Sequence, residues 1–136
     1  LSRYDSIKVG DKASFTKTIT ETDITLYGAV SGDFNPVHFN SVYAEKTMFK
    51  NRIAHGMLTA GLISAILGMQ LPGPGTIYLS QSLSFRSPVF IGDTITAQVE
   101  VLEKEDEKKQ IKLSTVCKNQ NDKKVIVGEA IVMLKD

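Results

Sequence analysis

Apolar and polar residues follow one period in the first half of the chain and another in the second. Residues 12–20 alternate loosely and rise out of Val9-Gly10-Asp11, which reads as a turn leading into a first strand. Thr22 or Asp23 then caps a predicted helix that runs through Leu26 and Tyr27 to Val30 and ends near Gly32. Asn35-Pro36 interrupts the helical pattern, because proline disfavours the α region for the residue before it. Asn40 or Ser41 caps a short second helix through Tyr43, Ala44 and Thr47. A long apolar helix follows over residues 55–71, closed by Pro72-Gly73-Pro74-Gly75.

Beyond that turn the period becomes two. Ile77, Leu79, Leu83 and Phe85 alternate with Tyr78, Ser80, Ser82, Ser84 and Arg86. Ile95, Ala97, Val99 and Val101 alternate with Thr94, Thr96, Gln98 and Glu100, and Ile111, Leu113, Thr115 and Cys117 alternate with Lys112, Ser114 and Val116. Residues 125–134 are apolar on both faces, as in a central strand. Residues 104–109 and 119–124 are polar hairpin tips with solvated charges. One strand, short helices, one long apolar helix and four antiparallel strands make an α+β arrangement in which a curled sheet wraps a central helix. This layout is called a hot-dog fold. It occupies residues 1–136 as a single domain, and a homodimer that continues the sheet is its natural completion.

Composition narrows the function. Sixteen Lys+Arg against fifteen Asp+Glu leave a net charge of +1, which argues against a nucleic-acid partner. The charges are unevenly placed: residues 53–85, about a quarter of the chain, contain no Asp, Glu, Lys or Arg. The apolar run at 57–71 is too short for a membrane span, which needs about 20 apolar residues, and it contains Thr59, Ser64 and Gln70. A helix buried inside the domain fits it better. The single cysteine, Cys117, excludes an internal disulfide and reads as a small buried hydrophobe. His38 and His55 are too few for a three-histidine zinc site but leave a mixed histidine–carboxylate site open; no metal is assigned. No N-terminal segment has a signal-peptide pattern, so a cytoplasmic location is the default expectation.

Reactive groups gather in Ser31-Gly32-Asp33-Phe34-Asn35-Pro36-Val37-His38. The Asn-Pro turn lets Asp33 and His38 converge as an acid/base pair; the alternative is an Asx-type cap by Asp33 and a half-buried structural His38. His55-Gly56 opens the apolar helix, whose N-terminal N–H groups suit an oxyanion. Gly56 would let a ligand carbonyl approach the backbone, or would merely relieve crowding while His55 caps the helix. Met57, Gly61, Ser64 and Gly68 share one helix face of small residues. Glycines in a helix cost about 1 kcal/mol each relative to alanine, offset by close helix–sheet packing or by room for a ligand. Ser64 either bonds back to its own helix or orients a catalytic group.

Gly32-Asp33-x-Asn35-Pro36-Val37-His38, followed by His55-Gly56-Met57, the Pro-Gly-Pro-Gly turn, residues 77–85 and Gly92-Asp93, resembles the MaoC-type (R)-specific enoyl-CoA hydratases over essentially the whole domain. The resemblance implies reversible addition of water across a trans-2-enoyl-CoA to give the (R)-3-hydroxyacyl-CoA, with no cofactor and an acyl-CoA as the partner molecule. It assigns Asp33 and His38 to a shared water, the Gly56 N–H to the thioester carbonyl, and Ser64 to support of the dyad. Leu67 and Val132 are candidate walls of the acyl pocket. Gln81, Ser82 and Arg86 are candidates for the CoA side. A dehydratase of carrier-protein thioesters, a hot-dog thioesterase and a non-catalytic acyl-thioester-binding module are the alternatives.

Overall fold

Strand β1 (Lys12–Thr18) follows a short N-terminal helix α1 (Arg3–Ser6), and three helices precede the long one: α2 (Glu21–Ser31), α3 (Pro36–Phe39) and α4 (Ser41–Glu45). The long helix α5 (Gly56–Met69) leads into β2 (Ile77–Gln81), β3 (Ser84–Phe85), β4 (Thr94–Glu105), β5 (Gln110–Lys118) and β6 (Lys124–Met133). These elements come from a computed structural model that describes residues 2–135. All strand pairs are antiparallel, in the order β1-β4-β5-β6-β2, with β3 also paired to β6. β1 and β2 are therefore the edges of the sheet.

The alternation in β4 and β5 becomes burial directly. Ile95, Ala97, Val99 and Val101 face the core with Ile111, Leu113, Thr115 and Cys117. Ile63, Ile66 and Leu67 of α5 pack onto that face with Val125, Ala130 and Val132 of β6. Burial pushes the Cys117 thiol up to about 12, so it is an inert core residue.

Four expectations need correction. The cap of α2 is Thr20, not Thr22 or Asp23: Thr20 Oγ1 accepts from the Asp23 N–H (3.1 Å), and Asp23 Oδ2 accepts from the Thr20 N–H (2.9 Å). Asp23 is thus the far half of a capping box. Gly32 ends α2 in the left-handed region, φ +82°, which favours glycine. Helix α5 is shorter than 55–71, because Pro72 cannot extend it and the Leu71 and Gly73 N–H groups fold back onto the Ile66 and Leu67 carbonyls.

The expected strand over residues 77–85 is broken between β2 and β3. The Ser82 carbonyl presses onto Gly128 of β6, so closely that a Cβ at position 128 would lie 1.8 Å from it. Ile77, Leu79 and Phe85 are exposed instead of facing the core. Gly128→Ala is expected to lower stability by about 1–3 kcal/mol, the usual range for overpacking. A urea midpoint equal to that of the unchanged protein would contradict that fit.

Finally, α5 is not covered on all sides. Its face of Met57, Gly61, Ser64 and Gly68 is exposed, and a Cβ at Gly61 or Gly68 would meet nothing within 4 Å. Helix–sheet packing within one chain therefore does not explain these two glycines. Among the described residues no helix is long and apolar enough to cross a membrane.

Candidate active site

Asn35 builds the turn that carries the site. Its Oδ1 accepts from the Val37 N–H (3.1 Å), capping α3, whose first residue is Pro36. This short helix, unforeseen in the sequence, aims His38 inward. Asp33, just before the turn, accepts the Asn35 N–H at Oδ1 (3.2 Å) and is exposed. The 52–55 segment is fastened across it: the Ile53 N–H donates to the Val37 carbonyl, the Ala54 N–H to the Val89 carbonyl, and Arg52 Nε to the His38 carbonyl (2.7 Å). Arg52 is held in turn by Glu21 at 2.9 Å.

These links fix the tautomer of His38. Its Nδ1 lies 2.7 Å from the Ile53 carbonyl oxygen, which can only accept, so Nδ1 carries the hydrogen. In the neutral ring Nε2 is then a free lone pair. His38 is 8% exposed, and burial holds its pKa below the ordinary value. The charge of a protonated His55 would lower it further, while the bond to Ile53 and the Asp33 carboxylate oppose the shift. The net effect keeps His38 neutral and able to accept a proton at pH 7.

Asp33, His38, His55, Gly56, Thr59 and Arg86 all line one cavity of about 510 Å³. Its remaining wall is largely apolar, with Phe85, Val89 and Ile126. Gly56 is the first residue of α5 and presents the helix N-terminus to this space. The Phe85 ring lies against Gly56, so closely that a Cβ there would come within 2.5 Å of it. Relief of crowding is therefore one role of this glycine.

The other candidates lie elsewhere. Ser64 faces a groove between α5 and β2, with Gln81 and Leu79, and does not reach the dyad. It is eight residues beyond Gly56, about 12 Å further along the helix, which carries it past the cavity and into the groove. Leu67 and Val132 are buried in the core and do not line the cavity. Gln81 Nε2 donates to Thr115 Oγ1 and to the Ser82 carbonyl (2.8 Å each), so its amide clamps the sheet instead of facing a ligand. Ser82 Oγ accepts from the Glu129 N–H at 3.0 Å. Of the three CoA-side candidates, only Arg86 is at the cavity.

Two further residues line the cavity without being candidates in the sequence, and one of them, His55, is tied directly to the dyad. His55, read as a cap, makes no side-chain cap bond. Its Nε2 lies 2.9 Å from the Asp33 backbone oxygen, and its ring stacks on His38 with centroids 3.9 Å apart. Thr59 is one turn on, at the i+4 position that shares His55's face; that spacing was the available signal. Asp33, His38 and His55 also offer cation-ligand atoms within 4.8 Å of one another. Two of the four ring nitrogens are committed to backbone carbonyls, which leaves His38 Nε2, His55 Nδ1 and the Asp33 carboxylate as the free groups of the cluster.

The model of the family described as "MaoC like domain" matches residues 6–123. The chain belongs to this family. It is 54% identical over 134 residues to the "(R)-specific enoyl-CoA hydratase" of Rhodospirillum rubrum, covering 98% of this chain and 92% of that protein. It superposes on the unliganded R-hydratase PhaJ1 of Pseudomonas aeruginosa with a TM-score of 0.92 and 50% identity, covering 98% of this chain and 85% of that one. It is 43% identical to the mitochondrial "3-hydroxyacyl-[acyl-carrier-protein] dehydratase" of Arabidopsis thaliana, over 94% of this chain and 78% of that protein. Among MaoC-like chains, then, this one resembles proteins named for both directions of the same water chemistry.

Proposed function

We propose that this chain is an (R)-specific enoyl-CoA hydratase. The observation that carries the reading is His38: its Nδ1–H is committed to the Ile53 carbonyl, leaving Nε2 as a lone pair at a cavity shared with Asp33 and the start of α5. Asp33 and His38 hold one water. Its oxygen bonds the β-carbon of a trans-2-enoyl thioester while a proton passes to the pair, with Asp33 taking the larger share and His38 orienting the water. The electron pair of the C=C bond moves towards the thioester carbonyl, whose oxygen gains charge beside the Gly56 N–H. Return of the proton from the pair to the α-carbon restores the thioester, regenerates the pair and gives the (R)-3-hydroxyacyl product. Every step is a proton transfer or an addition, so the reaction calls for neither metal nor redox cofactor.

The acyl group lies against Phe85, Val89 and Ile126, and Arg86 at the exposed rim meets the CoA phosphates. The carrier is CoA, in keeping with the greater similarity to the R. rubrum hydratase than to the plant carrier-protein dehydratase. Incubating the protein with crotonyl-CoA and following loss of the conjugated chromophore tests the reading. Release of free thiol without hydration would favour a thioesterase.

The working unit is a homodimer. β2 ends the sheet with an unpaired edge, and beside it the open face of α5 forms a groove of about 370 Å³ with Tyr78, Leu79 and Leu83. Leu79→Lys puts a charge on that surface, where it would be desolvated on association. Light scattering is expected to read a monomer for this variant and a dimer for the unchanged chain; equal masses would contradict the interface.

A further inference from the structure

Among the described residues, two buried side-chain polar atoms have no hydrogen-bond partner: His55 Nδ1 and Thr59 Oγ1. Both residues line the active-site cavity, His55 only 2% exposed and Thr59 fully buried. Buried polar groups are rarely left unpaired, so two such atoms one helical turn apart at one cavity call for a common explanation.

His55 touches both members of the dyad. Its Nε2–H donates to the Asp33 carbonyl, fixing the backbone that carries the carboxylate, and its ring stacks on that of His38. Tyr27 packs on the ring at 4.6 Å, and Phe39 meets it edge-on at 5.7 Å. The aromatic neighbours hold the ring in place, while the bond to Asp33 puts the hydrogen on Nε2. In that tautomer Nδ1 is a lone pair and needs a donor. Thr59 Oγ1 can donate, accept, or do both through one water, and such bridges are routine for buried polar atoms.

We infer that His55 and Thr59 form a positioning pair for the hydratase dyad, in which a water bridging Thr59 Oγ1 and His55 Nδ1 holds the His55 tautomer that fixes Asp33 and backs His38. This rests on the hydratase reading for its kinetic consequence and on geometry alone for the tautomer. Both act through the dyad and are positioning residues. Thr59 also takes the place in the helix that sequence reasoning gave to Ser64: a hydroxyl supporting the dyad from further along α5.

The groups facing His38 are Asp33 before α3, His55 at the start of α5, and Arg52, whose guanidinium binds the His38 carbonyl and pairs with Glu21; Tyr27 of α2 backs His55, and Arg86 lines the cavity. Removing the His55 ring uncovers His38 to solvent and removes a neighbouring positive charge when His55 is protonated. Both changes move the His38 pKa up towards its ordinary value.

Two measurements test the pair. First, long-range ¹H–¹⁵N spectra of the histidine-labelled protein at pH 8 are expected to read the hydrogen on Nε2 of His55 and on Nδ1 of His38. Thr59→Val is expected to shift the His55 Nδ1 resonance, and Thr59→Ser to restore it. Second, His55→Ala, checked for folding by circular dichroism, is expected to lower kcat by about tenfold or more, within the scale of acid/base positioning. KM is expected to stay within about threefold, and the acid limb of kcat/KM to move to higher pH, since the substrate contacts survive while the dyad loosens. A hydrogen on Nδ1 of His55, or a loss of rate with an unmoved acid limb, overturns the inference. A wild-type protein that hydrates no enoyl thioester overturns the hydratase reading instead, and the tautomer spectra still decide whether the pair exists.

Discussion

Asp33→Asn and His38→Ala are each expected to lower kcat/KM for crotonyl-CoA hydration by at least about 10²-fold, the scale of one positioned acid/base group. That corresponds to about 2.7 kcal/mol of transition-state stabilisation. Asp33→Asn is the cleaner of the two. An amide oxygen can still accept the Asn35 N–H that Asp33 Oδ1 accepts now, so the turn survives while the charge and the proton-accepting carboxylate go. His38→Ala removes the free Nε2 and also the bond to Ile53, and so also tests the fastening of residues 52–55. Near-wild-type turnover in either variant would remove the dyad from the mechanism. The wild-type pH dependence follows from the buried position of His38. Its folded pKa lies below the unfolded value of about 6.5, so the acid limb of kcat/KM is expected below pH 6.5. The same shift acts on stability: its contribution is complete above pH 6.5 and is lost as pH falls through the folded pKa.

Gly56→Ala is expected to lower kcat/KM by about 10- to 100-fold, below the 10²–10³ associated with losing an oxyanion donor outright. The N–H remains in this variant, but the added methyl collides with the Phe85 ring and stands where a thioester carbonyl would approach. A second substitution separates these two effects. In Gly56→Ala/Phe85→Ala the collision is gone, and only the obstruction of the ligand remains. A double variant still impaired at least about tenfold relative to Phe85→Ala supports a carbonyl bound at the helix N-terminus. Full recovery would reduce Gly56 to a packing residue.

Much of this architecture can be read from spacing alone, where one chain's own pattern decides the outcome. The alternation in β4 and β5 becomes burial residue by residue, because each side chain's face is set by its own strand. Asp33 and His38 meet because Asn35 and Pro36 shape the intervening turn locally. What escaped depends on neighbours distant in sequence. The break between β2 and β3 is governed by Gly128, on a strand more than forty residues away. Gln81 and Ser82 look available to a ligand in sequence and are occupied in space by Thr115 and Glu129. The helix face of Gly61, Ser64 and Gly68 reads as buried because its residues are small and uncharged, yet within one chain it is open. His55 looked like a cap because it precedes a helix; only its stacking on His38 reveals the second connection.

The charge-free stretch over residues 53–85 follows the same geography. It begins beside His55, supplies the Gly56 end of the cavity, runs through the core side of α5 and returns to the site at Phe85. An ionised side chain along its buried part would cost several kcal/mol to desolvate. The charged groups that matter lie outside it, Arg86 directly after its end and Asp33 twenty residues before its start, and border the same cavity.

The most direct test of the central claim is the configuration of the alcohol formed from crotonyl-CoA by the purified protein, resolved by chiral chromatography after thioester cleavage. The expected result is (R)-3-hydroxybutyrate, formed by wild type and lost together with Asp33→Asn activity. An (S)-product, or thiol release with no hydroxy acid, would contradict the account.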